Sequence, residues 1–180
     1  MKNLALLIVL AVGGYALAQE NAGPEAAMLR YADAAKSFDA ERIARLMHPE
    51  ALQRFRDAFD AALLGENGDR ARTELLPLFA VSTYDEFQAL SNVEAFQRLN
   101  EAVSRAAPEL AAVMANSEYE IIGTAQRGDE VFLTYVLTVA IEGRPVKREA
   151  AQRLKQHDGE WLLMLPPNGE ATIAGLEARY

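Results

Sequence analysis

The stretch Glu130-Val-Phe-Leu-Thr-Tyr-Val-Leu-Thr-Val-Ala-Ile-Glu142 decides the fold of this chain. Every second residue from Val131 to Ile141 is aliphatic or tyrosine, and the residues between them are more mixed but uncharged. Because successive side chains on a strand point to opposite faces, this alternation predicts a β-strand. The lack of charge on either face predicts a central strand that is covered on both sides.

Turn motifs on either side extend this strand into a sheet. The predicted strands cover residues 118–125, 130–142, 146–156 and 161–165. The motifs between them are Arg127-Gly128-Asp129, Gly143-Arg144-Pro145 and His157-Asp158-Gly159. Glycine supplies the positive φ that tight hairpins need, and loops this short make sequential strands antiparallel. Residues 118–165 are therefore predicted to form a four-stranded antiparallel meander.

Residues 19–117 are predicted to be mostly helical. Asp39 can cap one helix, and Pro49 can occupy the first turn of the next. Thr83 and Ser91 each stand three residues before a glutamate, which is the spacing of a capping box. The chain is thus predicted to be an α+β protein, with helices packed on a curved meander and extra helices in its middle.

The first residues have the pattern of a signal peptide. Lys2 is a small positive region, residues 4–12 are apolar, and Ala16-Leu17-Ala18 is a small-x-small cleavage pattern. The apolar run is shorter than the roughly 20 residues that cross a bilayer, which favours cleavage over a retained anchor. We expect residues 1–18 to be removed after export to the periplasm or the exterior.

Composition limits the classes of function. The chain has no cysteine, which excludes disulfides, thiol nucleophiles and cysteine metal sites. Loss of Lys2 with the signal peptide changes the formal charge from −8 to −9, which disfavours nucleic acid and anionic membranes as partners. The mature part, 19–180, is predicted to be a single domain, with no stable membrane insertion and a loosely held tail at 166–180.

Two segments carry a family resemblance. The first is residues 30–46, with Arg30-Tyr31 ahead of the Asp39 cap, and the second is Asp158-Gly159-Glu160-Trp161 in the last hairpin. With helices followed by a meander, they resemble the nuclear transport factor 2-like (cystatin-like α+β cone) superfamily. The resemblance implies a strongly curved sheet around a pocket and frequent dimerisation through the open sheet face. Its members include ketosteroid isomerase, cyclases, dehydratases and secreted domains without known activity, so the fold alone does not define a chemistry.

The resemblance also suggests an enzymatic alternative. Tyr31 stands where ketosteroid isomerase has its oxyanion-hole tyrosine, but no Asp-Pro general base is recognisable in residues 50–55. A cofactor-independent isomerase, cyclase or dehydratase would therefore use Tyr31 with His48 or Asp33. His48 could line the pocket mouth, or could instead close the end of the preceding helix.

The leading hypothesis is a non-enzymatic exported domain. It would bind a small apolar ligand or a partner protein through the pocket or the sheet face, with a homodimer possible. No nucleotide-binding, hydrolase or zinc motif is present, and two separated histidines do not make a metal site, so we expect neither cofactor nor metal. The candidate pocket or interface residues are Tyr31, Phe55, Phe132, Val136 and Trp161.

Overall fold

The structure of this protein is a computed structural model that describes residues 23–180. The predicted signal peptide and the residues that follow it up to position 22 lie outside this range. Within the range, no helix is long and apolar enough to cross a membrane.

The described chain is an α+β protein, as predicted, and its sheet has four antiparallel strands in the order β1-β2-β3-β4. The strands are β1 (Glu118–Arg127), β2 (Glu130–Ile141), β3 (Arg144–His157) and β4 (Glu160–Leu163). The helices within residues 23–180 are α1 (Pro24–Lys36), α2 (Ala40–Arg45), α3 (Pro49–Leu64), α4 (Gly68–Leu75), α5 (Tyr84–Gln88), α6 (Asn92–Ala106), α7 (Pro108–Ala115) and α8 (Pro167–Arg179). A 3-10 turn, Leu76–Phe79, lies between α4 and α5.

The hairpin turns lie at the predicted glycine motifs, so the observed ends of the strands are close to the predicted ones. Gly128 has φ of 63°, and Gly159 has φ of 83° beside Asp158 at 51°, so both predicted turns contain left-handed residues. The middle turn is formed by Glu142 and Gly143, at 52° and 75°, and β3 therefore begins at Arg144 instead of Val146.

One face of the sheet forms part of the buried core. Val131, Leu133 and Leu154 lie in a buried core cluster with Met28 of α1. The alternate residues of β2 form the opposite side, which we call the outer face. Its members are Phe132, Thr134 and Val136 of β2, together with the residues paired with them, Glu120, Gly123, Ala125, Glu149, Ala151 and Arg153.

The prediction that β2 is covered on both sides is therefore wrong. Phe132 and Val136 are half-buried but belong to neither core cluster of the described chain. Glu120 and Glu149 flank Val136 on the two adjacent strands, and Phe132 lies beside Pro167 and Glu170 at the start of α8, which accounts for their partial burial. Uncharged side chains on a strand thus do not require a second packing layer.

A second core cluster is built from aromatic side chains of the helical half. The rings of Phe59 and Phe79 are 4.9 Å apart, and those of Phe79 and Phe87 are 4.7 Å apart. Phe96 of α6 and Leu176 of α8 pack against both clusters, so the apolar interior is continuous from the sheet to the middle helices.

The segment 166–180, predicted to be a loose tail, is instead helical from Pro167 to Arg179. Pro166 ends the extended chain, and Pro167 occupies the first helical turn, where its missing N–H costs nothing. Ile173 is buried and Leu176 half-buried against α3. Arg54 of α3 also holds the helix through an ion pair of 2.7 Å with Glu177.

Candidate functional site

A cavity of about 350 Å³ lies among the helices, at the lower end of the roughly 300–1,000 Å³ typical of ligand pockets. Helices α1, α2, α3, α6 and α8 form its walls, together with the segment that follows β4. Its apolar lining includes Tyr31, Ile43, Met47, Phe55, Phe59, Phe96, Leu99, Val103, Leu165, Pro166, Ile173 and Leu176. Its other lining residues are Asn100, Asn168, Gly169 and Thr172.

Helix α6 supplies one wall because its capping box sets where the helix begins. The Ser91 hydroxyl accepts from the amide of Glu94 at 3.1 Å, and the Glu94 carboxylate accepts from the amide of Ser91 at 2.8 Å. Phe96, Leu99 and Val103 then recur at helical spacing and face the cavity.

Tyr31 of α1 lines the cavity, and its hydroxyl is the least engaged polar group of this wall. The hydroxyl forms no hydrogen bond with any residue in 23–180, although the side chain lies close to Tyr135. Burial, followed by the neighbouring Tyr135, raises the pKa of Tyr31, so the phenol stays protonated and can donate a hydrogen bond. Tyr119 and Tyr135 stack behind it with ring centroids 5.7 Å apart, and burial raises the pKa of both.

The remaining polar groups lie near the opening, which is marked by the exposed lining residues Val103, Asn168 and Thr172. The Nδ2 group of Asn100 donates to the carbonyl of Phe96 at 2.8 Å, which leaves its Oδ1 as an acceptor. The Thr172 hydroxyl donates to the carbonyl of Asn168 at 2.9 Å.

The structure brings together two of the five residues proposed from the sequence pattern. Tyr31 and Phe55 line the same cavity. Trp161 packs against the first core cluster without lining the cavity. Phe132 and Val136 lie on the outer face of the sheet, where Phe132 lines a separate surface pocket with Pro167 and Glu170 of α8. The five residues proposed from the sequence thus lie in three separate parts of the structure, namely the cavity, the first core cluster and the outer face.

The residues of the enzymatic alternative are not gathered around this cavity. His48 is only 3% exposed and contacts the ring of His157, with centroids 5.5 Å apart, but it does not line the cavity. Asp33 is exposed on α1 and does not line the cavity either. An acid–base mechanism needs both groups within reach of one substrate atom, so this alternative remains a prediction without geometric support.

The purely structural role predicted for His48 is also not the one observed. It was expected to close the preceding helix, but its Nδ1 accepts a hydrogen bond from the amide of Glu50 at 3.1 Å and caps α3. Burial is the largest influence on the ring and lowers the pKa of His48, outweighing the opposing effect of Glu50. A neutral ring with a free nitrogen lone pair is what this cap requires.

Several cavity residues were not recognised from the sequence as belonging to a site. Phe59, Phe96 and Leu99 recur with other apolar residues at helical spacing in the sequence, but that spacing does not distinguish a cavity wall from a packed core. Ile173 and Leu176 lie in the segment expected to be loose. Their spacing from each other and from Tyr180 is the helical signal that could have identified α8.

No group of three or more histidine, cysteine, aspartate or glutamate residues in the described range could hold a metal ion. No protein-family model matches the chain, and a search of curated proteins finds no match. The likeness to nuclear transport factor 2-like proteins therefore rests on residues 30–46, Asp158 to Trp161 and the order of the elements.

Proposed function

We propose that this chain is an exported, non-enzymatic domain of the nuclear transport factor 2-like type that binds a small apolar ligand in the cavity between its helices. The observation that carries the proposal is the cavity of about 350 Å³ with its largely apolar lining. Protein interiors are normally packed with few voids larger than a water molecule. A cavity of this size is therefore better explained by a bound ligand than by loose packing.

The elements around the cavity support the family part of the proposal. The Asp39 side chain accepts from the amide of Arg42 at 3.0 Å and caps α2, and the Asp158-Gly159 turn leads to Trp161 in the last strand. In one respect the chain departs from the expected cone. Its cavity is bounded by helices and the segment after β4, and not by side chains of the sheet.

The chemistry of the walls fits a mostly apolar ligand with one polar group. Aromatic and aliphatic side chains such as Phe55 and Leu99 would cover its body, and Asn100 would form a hydrogen bond with its polar group near the opening.

The test is binding of a neutral fluorescent probe, N-phenyl-1-naphthylamine, to the mature protein. Leu99→Trp should fill the cavity and weaken probe binding at least tenfold. Leu90→Trp is the matched control, because Leu90 is also half-buried but does not line the cavity. Native mass spectrometry of protein purified gently from its exported compartment should show extra mass that organic solvent removes. Equal binding by wild type and Leu99→Trp would contradict the assignment of the cavity.

A second candidate function, assembly with a second copy, is favoured by the pattern of charges on the outer face. In such a dimer the outer faces of two copies would pack together about a two-fold axis that lies between them, perpendicular to the strands and above Thr134. Phe132 of one copy would then lie over Val136 of the other. The same operation would set Arg153 over Glu149, so opposite charges would meet twice across the interface.

Light scattering on the purified protein tests this assembly. Val136→Arg should convert a dimer to a monomer, while Ile141→Arg, at an exposed position on the other face of β2, should leave the dimer intact. A wild-type protein that is monomeric at all concentrations would exclude this second function.

A further inference from the structure

The cavity walls formed by the described part of the chain carry no charged side chain, and this limits which ligands fit. We infer that the cavity selects an uncharged amphipathic molecule whose hydroxyl lies at the rim beside Asn100, and that it rejects the carboxylate and ammonium analogues of the same molecule. The inference rests on the proposed function and adds the chemical class of the ligand.

Among residues 23–180, the lining contains no aspartate, glutamate, lysine, arginine or histidine. The nearby cations are already engaged with other groups. Arg54 pairs with Glu177 at 2.7 Å, and Arg98 donates to the carbonyl of Phe79 at 3.0 Å. A ligand carboxylate or ammonium at the rim would therefore lose part of its hydration without meeting an opposite charge on a described lining residue, and loss of hydration by an unpaired charge is costly.

The rim determines which neutral group fits. The Nδ2 group of Asn100 donates one of its two N–H groups to the carbonyl of Phe96, so the side chain offers its Oδ1 as an acceptor and its second N–H as a donor, a pair that suits a ligand hydroxyl. Asn100 is half-buried, one turn of α6 before the exposed Val103, which places this acceptor near the opening. A ligand hydroxyl would bind there while its hydrocarbon part lies deeper, against Phe55 and Phe59.

The experiment compares three ligands of equal chain length, 1-octanol, octanoate and n-octylammonium, by calorimetric titration of the mature protein at neutral pH. We expect 1-octanol to bind at least about tenfold more tightly than either charged analogue. Asn100→Lys should place a cation at the rim and shift the preference toward octanoate. Ala106→Lys adds the same charge at an exposed position of α6 outside the cavity, so its preference should match the wild type.

The outcomes separate the inference from the function on which it rests. If octanoate binds as tightly as 1-octanol, the inference is overturned while the cavity remains a binding site. If Ala106→Lys shifts the preference as much as Asn100→Lys, general attraction explains the result and the rim assignment is wrong. If neither the three ligands nor N-phenyl-1-naphthylamine bind, the proposed function fails and the inference fails with it.

Discussion

The Nδ1 of His48 accepts a hydrogen bond of 3.1 Å from the amide of Glu50, and through this bond a buried histidine caps α3. The cap exists only when Nδ1 carries no proton. Groups on the facing β3–β4 hairpin also bear on the ring, since Lys155 and His157 disfavour its protonation while the backbone of Gln156 favours it. The stability of the fold is thereby linked to the protonation of one side chain.

We expect stability to fall as pH drops below the unfolded pKa of histidine, about 6.5. The folded pKa of His48 is lowered, so the unfolded chain binds more protons in this window and the cap's contribution is fully present only above it. The loss for one proton is at most about 1.4 kcal/mol per pH unit. Urea unfolding at pH 7.5 and 5.5 measures it. His48→Asn keeps a capping acceptor but cannot titrate, so a pH dependence equal to wild type in this variant would refute the assignment.

Arg56 is the second buried polar group with a clear structural role. It is 5% exposed, donates to the carbonyls of Phe87 and Leu90 at 2.9 and 3.0 Å, and lies 4.1 Å from the centroid of the Phe87 ring. Its Nε also pairs with Asp60 at 3.3 Å. One guanidinium thus joins α3 to the end of α5 and the turn that follows it.

Removal of this side chain should be costly. Arg56→Ala removes one partner of Asp60, which keeps hydrogen bonds from Tyr84 and Gln88, and it removes the guanidinium donor of two carbonyls. We expect a loss of at least about 2 kcal/mol in the free energy of unfolding. Arg56→Lys keeps the charge but not the planar fork, so its loss should be smaller. Arg45→Ala is the control, because Arg45 makes only an exposed pair with Glu41 and should cost less than about 1 kcal/mol. Chemical denaturation measures the free energy of unfolding of each variant. Equal losses of this free energy for Arg45→Ala and Arg56→Ala would contradict the bridging role of Arg56.

Two glycines, Gly175 in α8 and Gly68 in α4, should respond in opposite ways to replacement by alanine. A Cβ at Gly175 would meet no atom within 4 Å, and glycine in a helix interior is less favourable than alanine by roughly 0.5–1 kcal/mol. Gly175→Ala should therefore raise the melting temperature. A Cβ at Gly68 would lie 2.7 Å from the carbonyl oxygen of Leu63, so Gly68→Ala should lower it. An unchanged melting temperature for Gly175→Ala would mean that the helix contributes little to stability.

The features that were predictable from the sequence are those encoded locally. Gly128 and Gly159 have positive φ in hairpin turns that were predicted from the adjacent residues. Thr83 and Ser91 form the capping boxes that were predicted from the glutamates three residues after them. Each of these depends on a few adjacent residues. The chemistry of adjacent residues was therefore sufficient to predict these hairpin turns and helix starts.

The cavity could not be predicted in this way, because it is an arrangement of distant helices. The apolar stripe of α6 is the same whether Leu99 packs in a core or faces an empty space. The burial of Arg56 likewise depends on carbonyls more than thirty residues away in the chain. The outer face shows the opposite error, since an uncharged pattern at Phe132 and Val136 was taken to imply a covering layer.

Tyr31 and Leu176 face the same cavity from helices near the two ends of the described chain. A partly folded chain that lacks either helix has no complete binding site. By mass action, a ligand present at a hundred times its dissociation constant would stabilise the native state by about 2.7 kcal/mol. Because Leu176 packs against both core clusters, that energy would be shared by the sheet and the aromatic half together, and occupancy would report that the whole domain has folded.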